Sequence, residues 1–477
     1  MKRYILLLIL LLCGVQTEAQ NWSSYPTYEQ YTEYMQDLST SYPSICHLDT
    51  IGTTTEGRLL LCMRIDKDIN GEKNRPKLFY SAAMHGNELT GAMMLLYLLD
   101  TLAKNIDNIS LSSSFPIIYI CPFANPDGTW AVGNSDISGA MRYNANYVDL
   151  NRNYPDIRSS QNSDGESIQK ETKAFIAYQE KEKFHISCNI HTGSEVFNYP
   201  WDTYKSKTKT HADNNWFWSL GEEFVSSLND ESGDYFTAVN SSGVVEGGDW
   251  YVIHGSRQDW STYFAHCREV TLEVSNPYYP PFNEIKDYWQ RLGGALFTFV
   301  DYCGLGVEGI VRDSITGKTL DNVMIEIEAY DKDSSEVFTN DSGYYFRPLL
   351  DSSYYITFSK KGYNNKSLIV SLGKELKRID VQLSPLQTSI GDIPNLELEI
   401  YPTLVENSVY ISTKNKSNSF VPNLRYEIID LWGRIIERKA INSLPMAINT
   451  KNLSFDTYII NIYAGEKIIK SEKIIKK

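Results

Sequence analysis

Histidine is scarce in this chain, seven in 477 residues, and neither a long run of single-sign charge nor a long apolar stretch interrupts it. Each shortage excludes something. The one marked apolar run, Tyr4 to Leu12, is too short to span a bilayer. No transmembrane segment is therefore expected. Basic residues are outnumbered, 45 against 59 acidic, and the resulting charge of −14 argues against nucleic acid or an anionic membrane surface as partner. Cysteines are few and widely spaced, which fits neither a zinc finger nor a small disulfide scaffold. Setting Cys13 aside, Cys46, Cys62, Cys121, Cys188, Cys267 and Cys303 permit disulfides without specifying any.

Lys2 and Arg3 precede the apolar run, and Gln16-Thr17-Glu18-Ala19 follows it, so residues 1–19 read as a secretory signal cleaved after Ala19. Leu12, just before Cys13, is a poor fit to the small residue that lipoprotein processing prefers. From Asn21 to about Cys303, apolar strands alternate with helical segments. The strands predicted are Arg58 to Ile65, Lys77 to Met84, Pro116 to Phe123, Phe184 to Ile190 and Glu269 to Ser275; Glu88 to Lys104 and Ser167 to Lys181 are predicted helices. Nearly continuous apolar strands separated by helices indicate an α/β domain with a sheet covered on both faces. Ligands in such folds gather beyond the carboxyl ends of strands.

His85 and Glu88 stand three residues apart where the second predicted strand gives way to a helix. His191 stands at the end of another predicted strand. Two histidines and a glutamate leave one position open for water, the donor set of a hydrolytic Zn²⁺. His47, His185, His211 and His266 read instead as core or surface residues. A zinc-bound water needs a base, and the apolar strand near residue 270 offers Glu273 and Glu269, which share one face by alternation. Arg142 and Arg152 sit in a polar, asparagine-rich loop suited to binding carboxylates or an oxyanion.

With these residues go motifs that occur in a fixed order: TTTEGRLL around Gly57-Arg58, HGNE at His85 to Glu88, NPDG at Asn125 to Gly128, DLNRNYP at Asp149 to Pro155, HTGS at His191, QDW at Gln258 to Trp260, and EVTLEVS. The series resembles the zinc metallocarboxypeptidase family, and within it the carboxypeptidase N/E-like subfamily. The resemblance implies one Zn²⁺ per catalytic domain, held by His85, Glu88 and His191, with Asp149 orienting a ligand histidine. It implies that Arg142 polarises the scissile carbonyl, that Asn151, Arg152 and Tyr251 hold the substrate's terminal carboxylate, and that Glu273 rather than Glu269 is the general base. Asp202, eleven residues after His191, matches the acid that selects C-terminal Lys or Arg. One departure bears on it. Where the subfamily usually reads Gly-Gly-Met-Gln-Asp, this chain has Gly255-Ser256-Arg257-Gln258-Asp259, and Arg257 is placed to pair with Asp202 or to narrow the pocket.

Past Gly304 the pattern turns to short alternating strands, and residues 304–383 resemble the transthyretin-like β-sandwich of the same subfamily. Residues 384–395 read as a linker. Residues 396–477 resemble the C-terminal sorting domain of type IX secretion, through Tyr401-Pro402, the turn Asp430 to Gly433 and the basic end Lys473 to Lys477. The expected architecture is an α/β catalytic domain over residues 20–303, a mixed twisted sheet flanked by helices, followed by two small all-β sandwich domains. The expected function is a secreted or cell-surface carboxypeptidase, exported through the periplasm, acting on protein or peptide C-termini and meeting the secretion machinery through its last domain. The alternatives are a peptidase for cell-wall peptides and an inactive binding protein on the same fold.

Overall fold

The computed structural model describes residues 22–109, 115–386, 397–413, 424–465 and 467–477. The expected signal peptide with Cys13, and residues 387–395 of the expected linker, lie outside the described residues. Two units make up the chain, residues 1–384 and 385–477.

In the first unit, Thr27 opens helix α1 (Tyr28–Ser41) with a reciprocal cap. Its Oγ1 accepts from Gln30 N at 3.1 Å, and Gln30 Oε1 accepts from Thr27 N at 2.9 Å. Eight strands follow: β1 (Cys46–Thr53), β2 (Leu59–Ile65), β3 (Lys77–Ala82), β4 (Ile117–Cys121), β5 (Ile186–His191), β6 (Ser194–Tyr199), β7 (Val244–Glu246) and β8 (Arg268–Ser275). They form one mixed sheet in the order β1-β2-β4-β3-β5-β8-β6-β7, with β4, β3, β5 and β8 parallel. Helices α2 (Thr90–Asn105), α3 (Lys170–Glu182), α4 (Asn214–Ser226), α5 (Arg257–Tyr263), α6 (Ile285–Leu292) and α7 (Phe297–Tyr302) complete the layers.

Alternation along β3 shows how both faces are covered. Leu78, Tyr80 and Ala82 enter the core shared with α1, α2, α4, α6 and α7. Phe79 points to the opposite core, with Phe175 and Tyr178 of α3 and Trp260 of α5. A strand buried on both faces reads as continuously apolar, as the sequence pattern required.

The predicted strand from Lys77 stops two residues early, because Ala83 adopts a left-handed φ of 51°. The following helix begins at Thr90, not Glu88, since Glu88 belongs to a turn in which its N–H donates to His85 O at 3.0 Å. Helix α3 likewise begins late, at Lys170. Ser167 O is occupied by side-chain donors from Asn153 and Gln169, which hold the preceding residues outside the helix.

Strands β9 (Gly306–Asp313), β10 (Met324–Ile327), β11 (Val337–Phe338), β12 (Tyr344–Pro348), β13 (Ser353–Ser359), β14 (Lys366–Ser371), β15 (Leu376–Arg378) and β16 (Val381–Leu383) form two sheets. Their orders are β11-β10-β13-β14 and β12-β9-β15, with β16 also pairing β9. The sheets enclose their own apolar core, yet Tyr344 and Phe346 of β12 join the core of the eight-stranded sheet. That shared core makes one unit of both layers.

A buried charge cluster joins the same two layers. Asp213, just before α4, accepts from Arg268 Nε at 2.8 Å and from Arg347 Nη1 and Nη2 at 2.8 and 2.9 Å; Asp331 also pairs with Arg347. Burial raises the Asp213 pKa, but the two guanidiniums outweigh it and hold the carboxyl well below the usual range.

The second unit has two sheets around a separate core. One comprises Leu398–Tyr401, Ser408–Thr413 and Met446–Asn449. The other runs Leu404–Val405, Lys467–Lys476, Thr457–Ala464, Leu424–Asp430 and Ile435–Ile441. All six described cysteines are buried and unpaired. Among the described residues, no helix is long and apolar enough to cross a membrane.

Arg347→Ala leaves Asp213 and Asp331 buried with their charge only partly matched, so a loss of about 3–5 kcal/mol is expected in urea unfolding of the full chain. Because the Asp213 pKa is depressed by folding, its contribution is present above about pH 4 and is lost as the pH falls. The gap between wild type and Arg347→Ala narrows accordingly in acid.

Candidate metal centre and substrate cleft

In the sheet order, β3 has β4 on one side and β5 on the other, and the chain reverses its direction of travel at that point. Such a switch opens a crevice beyond the carboxyl ends of the strands. His85 follows β3, and His191 is the last residue of β5. Two close approaches shape the crevice. A Cβ on Gly86 would lie 2.2 Å from the Gly128 carbonyl carbon, and one on Gly91 would lie 2.5 Å from Ile190 Cγ2. Only glycine lets the His85 turn and the start of α2 sit this near their neighbours.

His85, Glu88 and His191 are all buried, and their ligand atoms lie within 4.8 Å of one another. Glu88 Oε1 stands 2.7 Å from His85 Nδ1, and Oε2 stands 2.8 Å from His191 Nδ1; the two Nδ1 atoms are 3.1 Å apart. His85 Nε2 lies 3.1 Å from Asp149 Oδ1, so that nitrogen carries the proton and donates it. In the neutral ring Nδ1 then presents a lone pair to the Glu88 carboxylate, acceptor against acceptor, and a proton or a cation must lie between them. A cation between them removes the repulsion. Two imidazole nitrogens and one carboxylate are also the donor types of a zinc site with an open position, so the residues fit Zn²⁺. The Asn189 side-chain amide, 2.7 Å from His191 Nε2, steadies the second ring.

Burial raises the Glu88 pKa, but the two histidines outweigh it and keep the carboxylate ionised. Asp149 is held low in the same way, burial being outweighed by His85 and Arg142. Arg142 donates from Nε to Asp149 Oδ2 at 3.0 Å, and its Nη1 lies 3.2 Å from His85 Nδ1. The Arg142 side chain, about a third exposed, thus reaches the candidate metal centre.

The structure separates the two glutamates of β8. Glu269 is fully enclosed: Arg257 Nε donates to Oε1 at 2.8 Å and Ser187 Oγ to Oε2 at 2.6 Å. Glu273 lies in register with His191, and its Oε2 is buried without a partner. Burial and then the Glu88 carboxylate push Glu273 well above the usual range. A cation at the centre acts in the opposite direction.

Arg257 does not pair with Asp202. It is buried between Phe79 and Phe175, 5.6 and 5.5 Å from their ring centroids, and its charge goes to Glu269. Asp202 is buried too, with Oδ1 accepting from Gln258 Nε2 at 3.0 Å and Asn198 Nδ2 at 3.4 Å. Burial pushes its pKa up to about 6, against the pull of Ser256, Asn198 and Arg152. A side chain at Gly247 would collide with Asp202 Oδ1, so the wall beside this carboxylate must stay bare. Asn151 Oδ1 accepts from Arg257 N at 3.1 Å, and Arg152 Nη1 donates to Asn151 O at 2.8 Å. Tyr251 is half-exposed; its hydroxyl pKa rises to about 12 through burial, then the charges of Glu273 and Asp202.

Sequence reasoning missed several supports. Asn189 could have been found, because alternation places it on the face of His191. Asn125, which donates to Met84 O at 3.1 Å and accepts from Gly128 N at 2.9 Å, ties the NPDG turn to the residue before His85. Gln258 stood in the QDW motif without an assigned role, and Asn198 carried no signal of its own.

A mixed α/β sheet with a two-histidine, one-glutamate centre at its switch point defines a zinc hydrolase class of fold and site. The zinc carboxypeptidase family profile matches residues 31–292, and the chain belongs to that family. A second profile, a secretion system C-terminal sorting domain, matches residues 399–477. Mouse carboxypeptidase M is 31% identical over 355 residues, covering 72% of this chain and 79% of that protein. Mouse carboxypeptidase D is 31% identical over 363 residues, 72% of this chain but 25% of its own length, so the chain spans about a quarter of that relative. Bovine thrombin-activatable fibrinolysis inhibitor, solved with a tick carboxypeptidase inhibitor, shares the fold: TM-score 0.50 at 16% identity, covering 59% of this chain and 97% of that one.

Metal analysis of the purified chain is expected to find one zinc, lost in His191→Ala. Asp149→Asn, which no longer fixes the His85 tautomer, should weaken zinc by about 10–100-fold in chelator competition.

Proposed function

We propose that this chain is a secreted zinc carboxypeptidase that hydrolyses the last peptide bond of proteins and peptides and releases C-terminal Lys or Arg. The observation that carries the reading is the unpartnered Glu273 carboxylate oxygen, in register with His191 at the centre. Zn²⁺ held by His85, Glu88 and His191 would supply Lewis acidity and a water acidified towards a pKa of about 7. Glu273 accepts the proton of the attacking water and returns it to the leaving amine. Arg142, anchored by Asp149, donates to the oxygen of the scissile carbonyl as charge develops there. Asn151, Arg152 and Tyr251 bind the terminal carboxylate, which confines cleavage to chain ends. Asp202, ionised, pairs with the cationic side chain of the departing residue.

The wider organisation follows the same reading. Residues 1–19 serve as the signal peptide, 20–303 as the catalytic domain and 304–383 as a transthyretin-like domain. Residues 384–395 link it to a sorting domain, 396–477, which addresses the protein from the periplasm to the type IX machinery and the cell exterior. The sorting-domain match and the two-sheet form of residues 306–383 support this assignment.

On blocked dipeptides ending in Arg, Lys, Phe or Glu, the basic substrates are expected to lead. Glu273→Gln should lower kcat by about 10²–10⁴-fold, the range of a lost general base. Asp202→Ala should cut the Arg-over-Phe preference by about 10²-fold, as for truncating one partner of a buried charge pair. An unchanged preference would refute the specificity assignment.

The ratio of kcat/KM for Arg over Phe should also rise with pH through about 6 in wild type, as Asp202 loses its proton. Below that pH Asp202 is neutral and the advantage fades. Taking the ratio cancels ionisations common to both substrates, and Asp202→Ala should flatten it.

A further inference from the structure

The loop from Arg142 to Asn153 delivers side chains to two places: Arg142 and Asp149 to the metal centre, Asn151 and Arg152 to the carboxylate end of the cleft. Its only regular structure is a single 3-10 turn, Leu150–Arg152. Side chains must therefore set its shape.

Two fully buried asparagines do so. Asn144 Oδ1 accepts from Asn146 N at 3.1 Å and Val148 N at 3.0 Å; its Nδ2 donates to Gln169 Oε1 at 3.0 Å and Glu171 Oε2 at 3.2 Å. All four bonding positions of the amide are filled. The bonds close a turn that starts two residues after Arg142 and ends next to Asp149, and they hold Tyr147 at a φ of 59°. A tyrosine enters that left-handed region only when its surroundings compel it. Asn153 makes a second set of four, which meets the first at Gln169. Its Oδ1 accepts from Gln169 N at 2.8 Å and Thr172 Oγ1 at 3.0 Å, and its Nδ2 donates to Asp164 Oδ2 at 2.9 Å and Ser167 O at 3.1 Å.

Both sets reach the start of α3, where Glu171 is wholly buried and its Oε1 has no partner. Such a carboxyl group is unfavourable by itself. Its bond to Asn144 gives it a role.

We propose that Asn144 and Asn153 are positioning residues with different main targets, although both bond to Gln169 and Asp149 Oδ1 accepts from Asn151 N at 2.9 Å: Asn144, seated on Glu171, chiefly sets Arg142 and Asp149, whereas Asn153 chiefly sets Asn151 and Arg152. The division rests on the roles given above for those four residues. Loss of Asn144 loosens the groups that act on the reacting carbonyl and on His85. Loss of Asn153 loosens the grip on the substrate's end.

The test compares full-length wild type with Asn144→Ala and Asn153→Ala on a blocked dipeptide ending in Arg, and measures zinc by chelator competition. Asn144→Ala is expected to lower kcat about 10–100-fold with little change in KM, and to weaken zinc about tenfold. Asn153→Ala is expected to raise KM about tenfold, with kcat and zinc affinity close to wild type. Glu171→Gln keeps an acceptor for Asn144 and should match wild type; Glu171→Leu should shift kcat and zinc in the direction of Asn144→Ala. This second pair leaves both asparagines in place, and decides the Asn144 assignment if an alanine variant fails to fold. Parallel changes in kcat and KM for both alanine variants, or equal zinc affinities, overturn the proposal. A wild type that cleaves no blocked dipeptide refutes the carboxypeptidase reading instead, and the zinc comparison still decides whether Asn144 alone supports the metal centre.

Discussion

The Glu88 carboxylate and the Nδ1 atoms of His85 and His191 converge at the carboxyl ends of β3 and β5, and much of the fold serves to hold them there. The lone pair on Nδ1 of a neutral His85 and the Glu88 carboxylate would repel one another at 2.7 Å without a cation between them. Holding them requires a rigid base. The parallel strands supply it, and the bare backbones of Gly86 and Gly91 let the His85 turn and α2 close in. Asp149 then fixes which nitrogen of His85 faces inward. The candidate centre is thus preorganised by groups outside the His85, Glu88 and His191 cluster.

The same unit buries many carboxyl groups, and their partners sort them by task. Asp149 and Asp213 face guanidiniums and stay ionised. Glu269 is closed off by Arg257 and Ser187. Glu273 and Asp202 lack such cations at bonding distance, and burial raises both. A raised carboxyl group facing a cleft is poised for proton transfer or for a cationic ligand. Of these five, the three bonded to guanidiniums are tied into the packing, and the two without one, Glu273 and Asp202, are left to other partners.

The β-sandwich of residues 306–383 is bound into this arrangement. Arg347 of β12 reaches Asp213 beside Arg268, the first residue of the strand that carries Glu273. Tyr344 and Phe346 extend the apolar core of the large sheet. A buried ion cluster contributes little net stability against an apolar alternative, yet removing one partner leaves the others buried and uncompensated, so the two layers are tied together at this point.

Much of this was legible in the chain itself. Continuous apolar strands required a doubly covered sheet, and the placement of His85, Glu88 and His191 at strand ends pointed to the centre, because strand alternation and turn position are local properties. Element ends were less legible: Ala83 in a left-handed conformation and Ser167 O engaged by side chains moved them by two or three residues. The partners of Arg257 could not be read at all. Sequence left it free to face Asp202, and only the packing of α5 against Phe79 and Phe175 turned it to Glu269. Glu269 and Glu273 are equivalent by periodicity, and they differ only in what stands opposite them across the sheet. Residue types and spacing thus determined the fold class and the candidate ligands at strand ends, because alternation and turn position are local. Tertiary structure decided which buried charges are paired and which remain open, because pairing depends on segments far apart in the chain meeting in space.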